Sequence, residues 1–359
     1  MTRVLVVNDY SLVDSWRGAK EGRSPSHFLY GVDHLEREGF DVTIISDEWS
    51  RWLAGVDRWL GRLPMPFGSI GSIDRQLAAA RFLDDVDAIY APCQTQIQAL
   101  TYLRALGVIR VPIVVLGHHP LVRGRLGRVR RPLISLMLQG LSALPTLSRA
   151  VAEEANEIAQ RSVATALRWG PEASFYPPPI YPGRGVFAAG RTGRDFATFG
   201  RAATIAAAPA TILTFRSSVT PDFRSFGPNV EVIVPDRFID YSETAHMFAA
   251  ARALAIPMAR QDGLCGLTSL MDALGAGKAV IMTRNALIDL DIEKLGIGRW
   301  VEPGDVQGWA DAIRFFEDNP DAAAEMGSRA RALVDHGLDY RTFSDEIVRL
   351  VRDGIADAR

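Results

Sequence analysis

Apolar runs of strand length alternate with longer amphipathic stretches along most of the chain. Val4 to Val7, cut by Asn8 and Asp9, has the pattern of a short buried strand. A polar, glycine-containing stretch from Ser15 to Ser26 reads as a loop. Phe28, Leu29, Val32 and Leu35 then share one helix face before a second strand in DVTIIS. The alternation continues with a helix from about Trp49 to Leu63, a strand in DAIYAP, a helix from Gln96 to Leu106 and a strand in PIVVLG. A helix from about Arg131 to Gly140, a strand near LPTLS, a helix from Arg149 to Gln160 and a strand in VATALRW complete the first half. Such alternation predicts parallel sheets covered by helices on both faces.

Pro171, Pro177, Pro178, Pro179 and Pro182 then crowd a stretch that no helix or central strand tolerates, and an interdomain linker is expected there. Beyond it the pattern restarts: strands in GVFAAG, TILTF, VEVIV, ALAIPM, AVIMT and near GRWVE, with helices predicted over Phe196–Ala207, Ser242–Ala251 and Leu267–Ala276. Three amphipathic helices follow, at about 305–317, 320–336 and 341–356. The expectation is an α/β protein of two consecutive domains, 1–178 and 183–340, with the last helix, 341–359, able to pack back onto the first domain.

Composition narrows the class. With 359 residues, 48% hydrophobic, 23% charged and a net charge of −2, the chain is long enough for two cores and is neither disordered nor fibrous. Its 2 cysteines, Cys93 and Cys265, are far apart and form no CxxC pair, so neither a disulfide framework nor a thiolate metal site is expected. No stretch approaches a membrane span, and the first apolar run is too short for a signal-peptide core; a cytoplasmic protein is expected. The near-neutral sum hides polarity. From 88 to 152 there is no acidic residue, and Arg104, Arg110, Arg123, Arg125, Arg128, Arg130, Arg131 and Arg149 lie inside that window.

The corner after the first strand, Asn8-Asp9-Tyr10, lacks the G-x-G-x-x-G turn of a dinucleotide site, which disfavours hydride transfer. Residues 253–283 are more informative. A strand leads into a loop with Asp262, Gly263 and Gly266, a helix begins near Leu267, and the chain turns at Gly275-Ala276-Gly277. Amides of Gly266, Leu267, Thr268 and Ser269 would be unpaired at the helix start, where the dipole favours an anion such as a phosphate. Asp272, four residues after Thr268, shares its face and is suited to accepting hydrogen bonds from sugar hydroxyls.

This segment resembles the donor-binding motif of retaining GT-B glycosyltransferases of the family 4 type, E-x-F-G-x-x-x-x-E-A-x-A-x-G-x-P-V-I. Asp272-Ala273-Leu274-Gly275-Ala276-Gly277-Lys278-Ala279-Val280-Ile281 matches its second half. The resemblance implies two Rossmann-like domains facing across a cleft, with a nucleotide-diphosphate sugar as donor held by the second domain. In it Asp272 stands where the family glutamate holds the ribose, and Asp262 is the nearest candidate for the sugar-contacting acid. The sequence departs from the pattern in using Asp for the second acid and Leu264 at the position of the first. Arg191, in VFAAGRTGRDF, matches the arginine that contacts the donor diphosphate; Arg194 is the nearest substitute for the lysine expected after it, and Asp195 reads as a helix cap. His118, in VVLGHHPL, is placed like the family's active-site histidine. Asp9, His27 and His119 are candidates for the acceptor side.

The resemblance implies sugar transfer to a hydroxyl acceptor with retention, needing no metal or other cofactor. Two alternatives remain: a nucleotide-sugar epimerase or hydrolase of the same fold, and a non-catalytic nucleotide-sugar binder. The Arg123–Arg131 cluster adds a lipid-linked or phosphorylated acceptor, or peripheral contact with the inner face of an anionic membrane, as candidate partners. No nucleic acid is expected, because no base-reading motif accompanies the charge. The stripe Trp49, Trp52, Val56, Trp59 and Leu63 reads as core packing.

Overall fold

The computed structural model describes residues 1–8, 12–45, 71–95, 97–122, 127–215, 222–237, 239–259 and 261–358. Asp9, the tryptophan stripe, Arg123 and Arg125 lie outside them. The chain divides into two compact units, one of Met1–Glu21, Ser26–Trp169 and Tyr340–Arg359, the other of Gly22–Pro25 and Gly170–Asp339.

In the first unit, β1 (Arg3–Val6), β2 (Asp41–Ile44), β3 (Ala88–Ala91) and β4 (Ile113–Val115) form a parallel sheet in the order β2-β1-β3-β4. Parallel bridges Val114–Ala143 and Gly117–Thr146 attach the pair β5 (Leu144–Thr146) and β6 (Ala164–Ala166) beyond β4. Strands β1, β3 and β4 carry unbroken apolar runs because helices cover both faces. These helices are α1 (Leu12–Lys20), α2 (Val32–Arg37), α3 (Ile73–Ala80), α4 (Gln98–Ala105), α5 (Gly127–Gln139) and α6 (Arg149–Ala159).

Two departures from the sequence reading have clear causes. The stretch read as a loop from Ser15 holds most of α1, whose Leu12 is buried; its polar composition marks a solvated helix face. The single helix expected through Phe28 to Leu35 is two pieces, a 3-10 turn at Ser26–Leu29 and α2. Tyr30 (φ 50°) and Gly31 (φ 87°) both adopt the left-handed region between them.

The C-terminal helix, α12 (Tyr340–Asp357), belongs to this first unit and packs on α2, β3 and β4. Its Tyr340 hydroxyl accepts the Gly31 amide at 2.9 Å and donates to Asp33, filling the place of a side-chain cap at the start of α2. His34 Nε2 pairs with Asp345 at 2.7 Å on the same contact.

His27 is corrected by the structure. Expected beside an acceptor, it is 0% exposed, edge-on to Trp169, and burial holds its pKa down at about 3. An imidazole that stays neutral in the folded state and charges in the unfolded one contributes stability above its unfolded value near 6.5, which is lost as pH falls towards 3. Between pH 6.5 and 5 the expected loss is about 1.6 kcal/mol. Urea unfolding of the wild type and His27→Gln over this range checks it: the variant should show a flatter dependence, and equal slopes would assign the acid loss to another group.

In the second unit, β7 (Val186–Ala189), β8 (Ala210–Leu213), β9 (Val230–Ile233), β10 (Ala253–Ile256), β11 (Ala279–Thr283) and β12 (Gly298–Val301) form one parallel sheet, ordered β12-β11-β10-β7-β8-β9. The order reverses between β7 and β10, the place where open α/β sheets bind ligands at the carboxyl ends of their strands. Helices α7 (Phe196–Ala206), α8 (Tyr241–Ala250), α9 (Leu267–Gly275), α10 (Val306–Asp318) and α11 (Pro320–Asp335) accompany it. Phe199 packs edge-on against the buried Trp309 where α7 and α10 meet over the sheet.

Residues 170–178, assigned by proline content to the end of the first domain, fold with the second unit. The connector is fastened there by polar groups: the Ile180 amide donates to Ala249 O at 2.9 Å, and the Tyr181 hydroxyl to Gly277 O at 2.7 Å. Lys278, fully buried, donates to Ile180 O at 2.7 Å, and burial brings its pKa down to about 8.

Candidate functional site

The reversal point of the second sheet gathers two loops. The one after β7 contains Gly190, Arg191, Gly193 and Arg194; the one after β10 leads to Gly266 and α9. Backbone bonds lock them together: the Asp195 amide donates to Pro257 O at 3.0 Å and the Ala259 amide to Gly193 O at 2.9 Å. Asp195 caps α7, accepting the Thr198 amide at 3.0 Å.

Arg194 folds back over Gly190, where a Cβ would stand 2.3 Å from its Nε. Its guanidinium donates to Ala189 O at 3.0 Å and to Ser269 Oγ at 2.7 Å, and touches Met258 Sδ at 2.8 Å. A fixed cation is therefore pinned to the first turn of a helix whose amide dipoles also point positive. Two like potentials converging on one spot make it a place for an anion.

The helix start is shaped for close approach. Gly266, the N-cap residue, sits at φ 90°, has no side chain to cap the following amides, and a Cβ there would meet Met282 at 2.8 Å and Ile256 at 3.0 Å. The Leu267 amide, expected to be unpaired, donates to Leu264 O at 3.3 Å, and its side chain is buried. Thr268 and Ser269 follow, half-buried, their amides one turn too early for an intrahelical partner.

Asp272 lies one turn after Ser269 but does not stand open beside the anion position, as its spacing from Thr268 predicts. It is 2% exposed. The Tyr241 hydroxyl lies 2.7 Å from both carboxylate oxygens, and the Tyr176 hydroxyl donates to Oδ1 at 2.7 Å. Burial pushes the Asp272 pKa up to about 6, against the tyrosine hydrogen bonds and the Arg194 charge that favour its ionised form. Burial also draws the Arg194 pKa down, opposed first by Asp272 and then by Cys265 and Tyr241.

Arg191 is exposed, its guanidinium 4.1 Å from the Phe215 ring centroid, so a cation is displayed on the same loop. Asp262 is exposed in the loop before α9. In the first unit, His118 follows β4. Its Nε2–H donates to Pro92 O at 2.6 Å, which fixes the tautomer, and its ring meets Tyr30 edge-on at 4.9 Å. Gln94 organises this turn, accepting the amides of His118 and His119 at 2.6 and 3.0 Å and donating to His119 O at 2.9 Å. In the arginine-rich segment, Arg131 pairs with Glu157 at 2.5 Å.

Tyr176 and Tyr241 escaped the sequence reading. Tyr241 follows Asp240 in D-Y-S-E, and the Asp240/Glu243 capping box seen here was a legible helix-start signal. Nothing local announces that the side chain turns to Asp272. Tyr176 precedes a proline run and carries no periodic signal.

No protein-family model matches the chain, and no curated protein matches it in sequence. Solved structures match it over its whole length. Sucrose-phosphate synthase from Thermosynechococcus elongatus superposes with a TM-score of 0.70 at 13% identity, covering 99% of this chain and 100% of that one. The fold is GT-B. A glycosyltransferase from Rickettsia africae matches at TM-score 0.66 and 14% identity over 99% of both chains. Anabaena HepE in complex with UDP-glucose matches at 0.64 and 15% over 98% of this chain and 100% of its own. At these identities the likeness concerns the GT-B fold. Among the described residues no helix is long and apolar enough to cross a membrane, and no three His, Cys, Asp or Glu side chains are grouped to hold a metal.

Proposed function

We propose that the protein is a glycosyltransferase that moves a sugar from a nucleoside-diphosphate donor to a hydroxyl acceptor, the second unit holding the donor and the first the acceptor. The carrying observation is the Arg194 guanidinium bonded to Ser269 at the first turn of α9, at the reversal point of the sheet. As the bond from the sugar's anomeric carbon to the diphosphate breaks, its electron pair goes to the leaving phosphate oxygen. In this reading Arg194, the first amides of α9 and the exposed Arg191 neutralise that charge, which is what lowers the barrier. Retention, and transfer without a metal, follow from the family 4 resemblance and are part of the proposal. UDP and UDP-glucose, named in the HepE complexes, are the first ligands to try.

A thermal-shift panel of UDP, GDP, ADP and UDP-glucose tests the site directly. At a hundredfold excess over Kd one of them should stabilise the protein by about 2.7 kcal/mol. If none shifts the melting temperature, the donor-site reading falls. Turnover that proceeds equally well without any acceptor would favour the hydrolase or epimerase alternative.

A further inference from the structure

We propose that Thr283, at the end of β11, is a positioning residue for the cation that meets the leaving diphosphate: its hydroxyl holds the Met258 backbone, and Met258 aims the Arg194 guanidinium. This rests on the donor-site reading above and goes beyond it by naming a residue that acts on the site through a second one.

The register of β10 on β11 ends at Ile256–Met282. Pro257, the next residue, has no N–H with which to extend the ladder. Met258 then forms an antiparallel bridge with Arg194 on the loop after β7, and its amide is taken by the Thr283 hydroxyl at 2.8 Å. Both residues are 1% exposed. A buried amide must find an acceptor, and here a side chain supplies what the ladder no longer does.

The Met258 side chain connects this bond to the site. Its sulfur lies 2.8 Å from Arg194 Nη1 and 3.3 Å from the place where a Cβ on Gly266 would stand. It therefore touches the cation on one side and lies against the start of α9 on the other.

Proton counting shows what this contact decides. A guanidinium has five N–H donors in one plane. Nε donates to Ala189 O, Nη1 faces Met258 Sδ and, at 3.5 Å, Thr192 O, and Nη2 donates one proton to Ser269 Oγ. Among the described residues, that leaves the second Nη2 proton for a phosphate oxygen. Because the fork is rigid, its aim is set by the partners on the other positions. Ala189 O belongs to the strand β7 and Ser269 to the helix α9, whereas Met258 stands in a loop, where its place depends on Thr283.

The test is the calorimetric affinity for UDP, GDP and ADP of the wild type, Thr283→Val, Thr283→Ser, Arg194→Ala and the Thr283→Val/Arg194→Ala double variant. A free nucleoside diphosphate carries the charge that the leaving group acquires, so its affinity reports on Arg194 without an acceptor. Valine keeps the shape of threonine but accepts no hydrogen bond, and Thr283→Val should bind the preferred diphosphate about tenfold less tightly. Thr283→Ser, which keeps the hydroxyl, should stay within about twofold of the wild type. In the Arg194→Ala background the Thr283→Val change should alter affinity by less than about twofold, while its lowering of the urea midpoint persists. A purely structural threonine would weaken binding equally in both backgrounds. That result, or a folded Thr283→Val protein that binds as the wild type does, overturns the proposal while leaving the donor site standing. A wild type that binds none of the three overturns both. Should Thr283→Val not fold, Met258→Leu takes its place, since it keeps the bulk and removes the sulfur. The same loss dependent on Arg194 is expected of it, and unchanged affinity overturns the proposal.

Discussion

Arg194→Ala is expected to reduce kcat/KM for donor-dependent transfer by about a hundred- to a thousandfold. Arg194 is the group that touches both halves of the candidate site: it springs from the loop after β7 and ends on Ser269 in the first turn of α9, 2.7 Å away. Cations aimed at the position where leaving-group charge develops act on the transition state more than on the bound substrate. Most of the loss should therefore appear in kcat. Arg194→Lys keeps the charge but cannot make the fork to Ala189 O and Ser269 Oγ together, and should fall between. Because the side chain also ties loops together, unfolding curves are needed alongside the kinetics. A folded Arg194→Ala enzyme within threefold of the wild type would remove Arg194 from the mechanism.

Gly275→Ala should destabilise the protein by about 2 kcal/mol, although it replaces a helical glycine with the residue that the family 4 motif carries at that position. A Cβ at Gly275 would lie 2.4 and 2.5 Å from ring atoms of Tyr176, itself locked by its hydrogen bond to Asp272. Overpacking against a buried ring outweighs the roughly 1 kcal/mol that alanine gains in helix propensity. The sign should reverse when the ring is gone: in a Tyr176→Ala background, Gly275→Ala becomes neutral to stabilising by up to about 1 kcal/mol. Urea unfolding of the four proteins measures the coupling, and simple additivity would show that Gly275 is not glycine on account of Tyr176.

These two residues mark the border between what was legible in the chain and what was not. The strands whose apolar runs are unbroken, Val4–Val7, Ala88–Ala91 and Ala279–Met282, could be read directly, because a strand buried on both faces has few polar positions to confuse the pattern. Helices with strong amphipathic faces followed, the last three to within a residue or two of their observed ends. The loop-to-helix start at Gly266 was legible because a glycine at φ 90° and an uncapped first turn leave a sequence signature. His27 was misjudged for the opposite reason: a lone histidine beside a loop looks the same whether it faces solvent or core.

The sequence by itself determined the alternation of strand and helix, hence two parallel sheets, and it placed an anion-favouring helix start and its arginines in one stretch each. Those properties are local, carried by periodicity and by spacing within a few turns. Only the tertiary structure decided that Asp272 is buried under Tyr176 and Tyr241, residues 96 and 31 positions away, and that Arg194 bonds to Ser269, 75 positions on. It also decided that Tyr340 caps α2 across 309 positions from Gly31. Contacts between distant segments are set by how helices settle on the sheets, and desolvation, which pushes Asp272 to about 6 and His27 to about 3, exists only once that packing has formed.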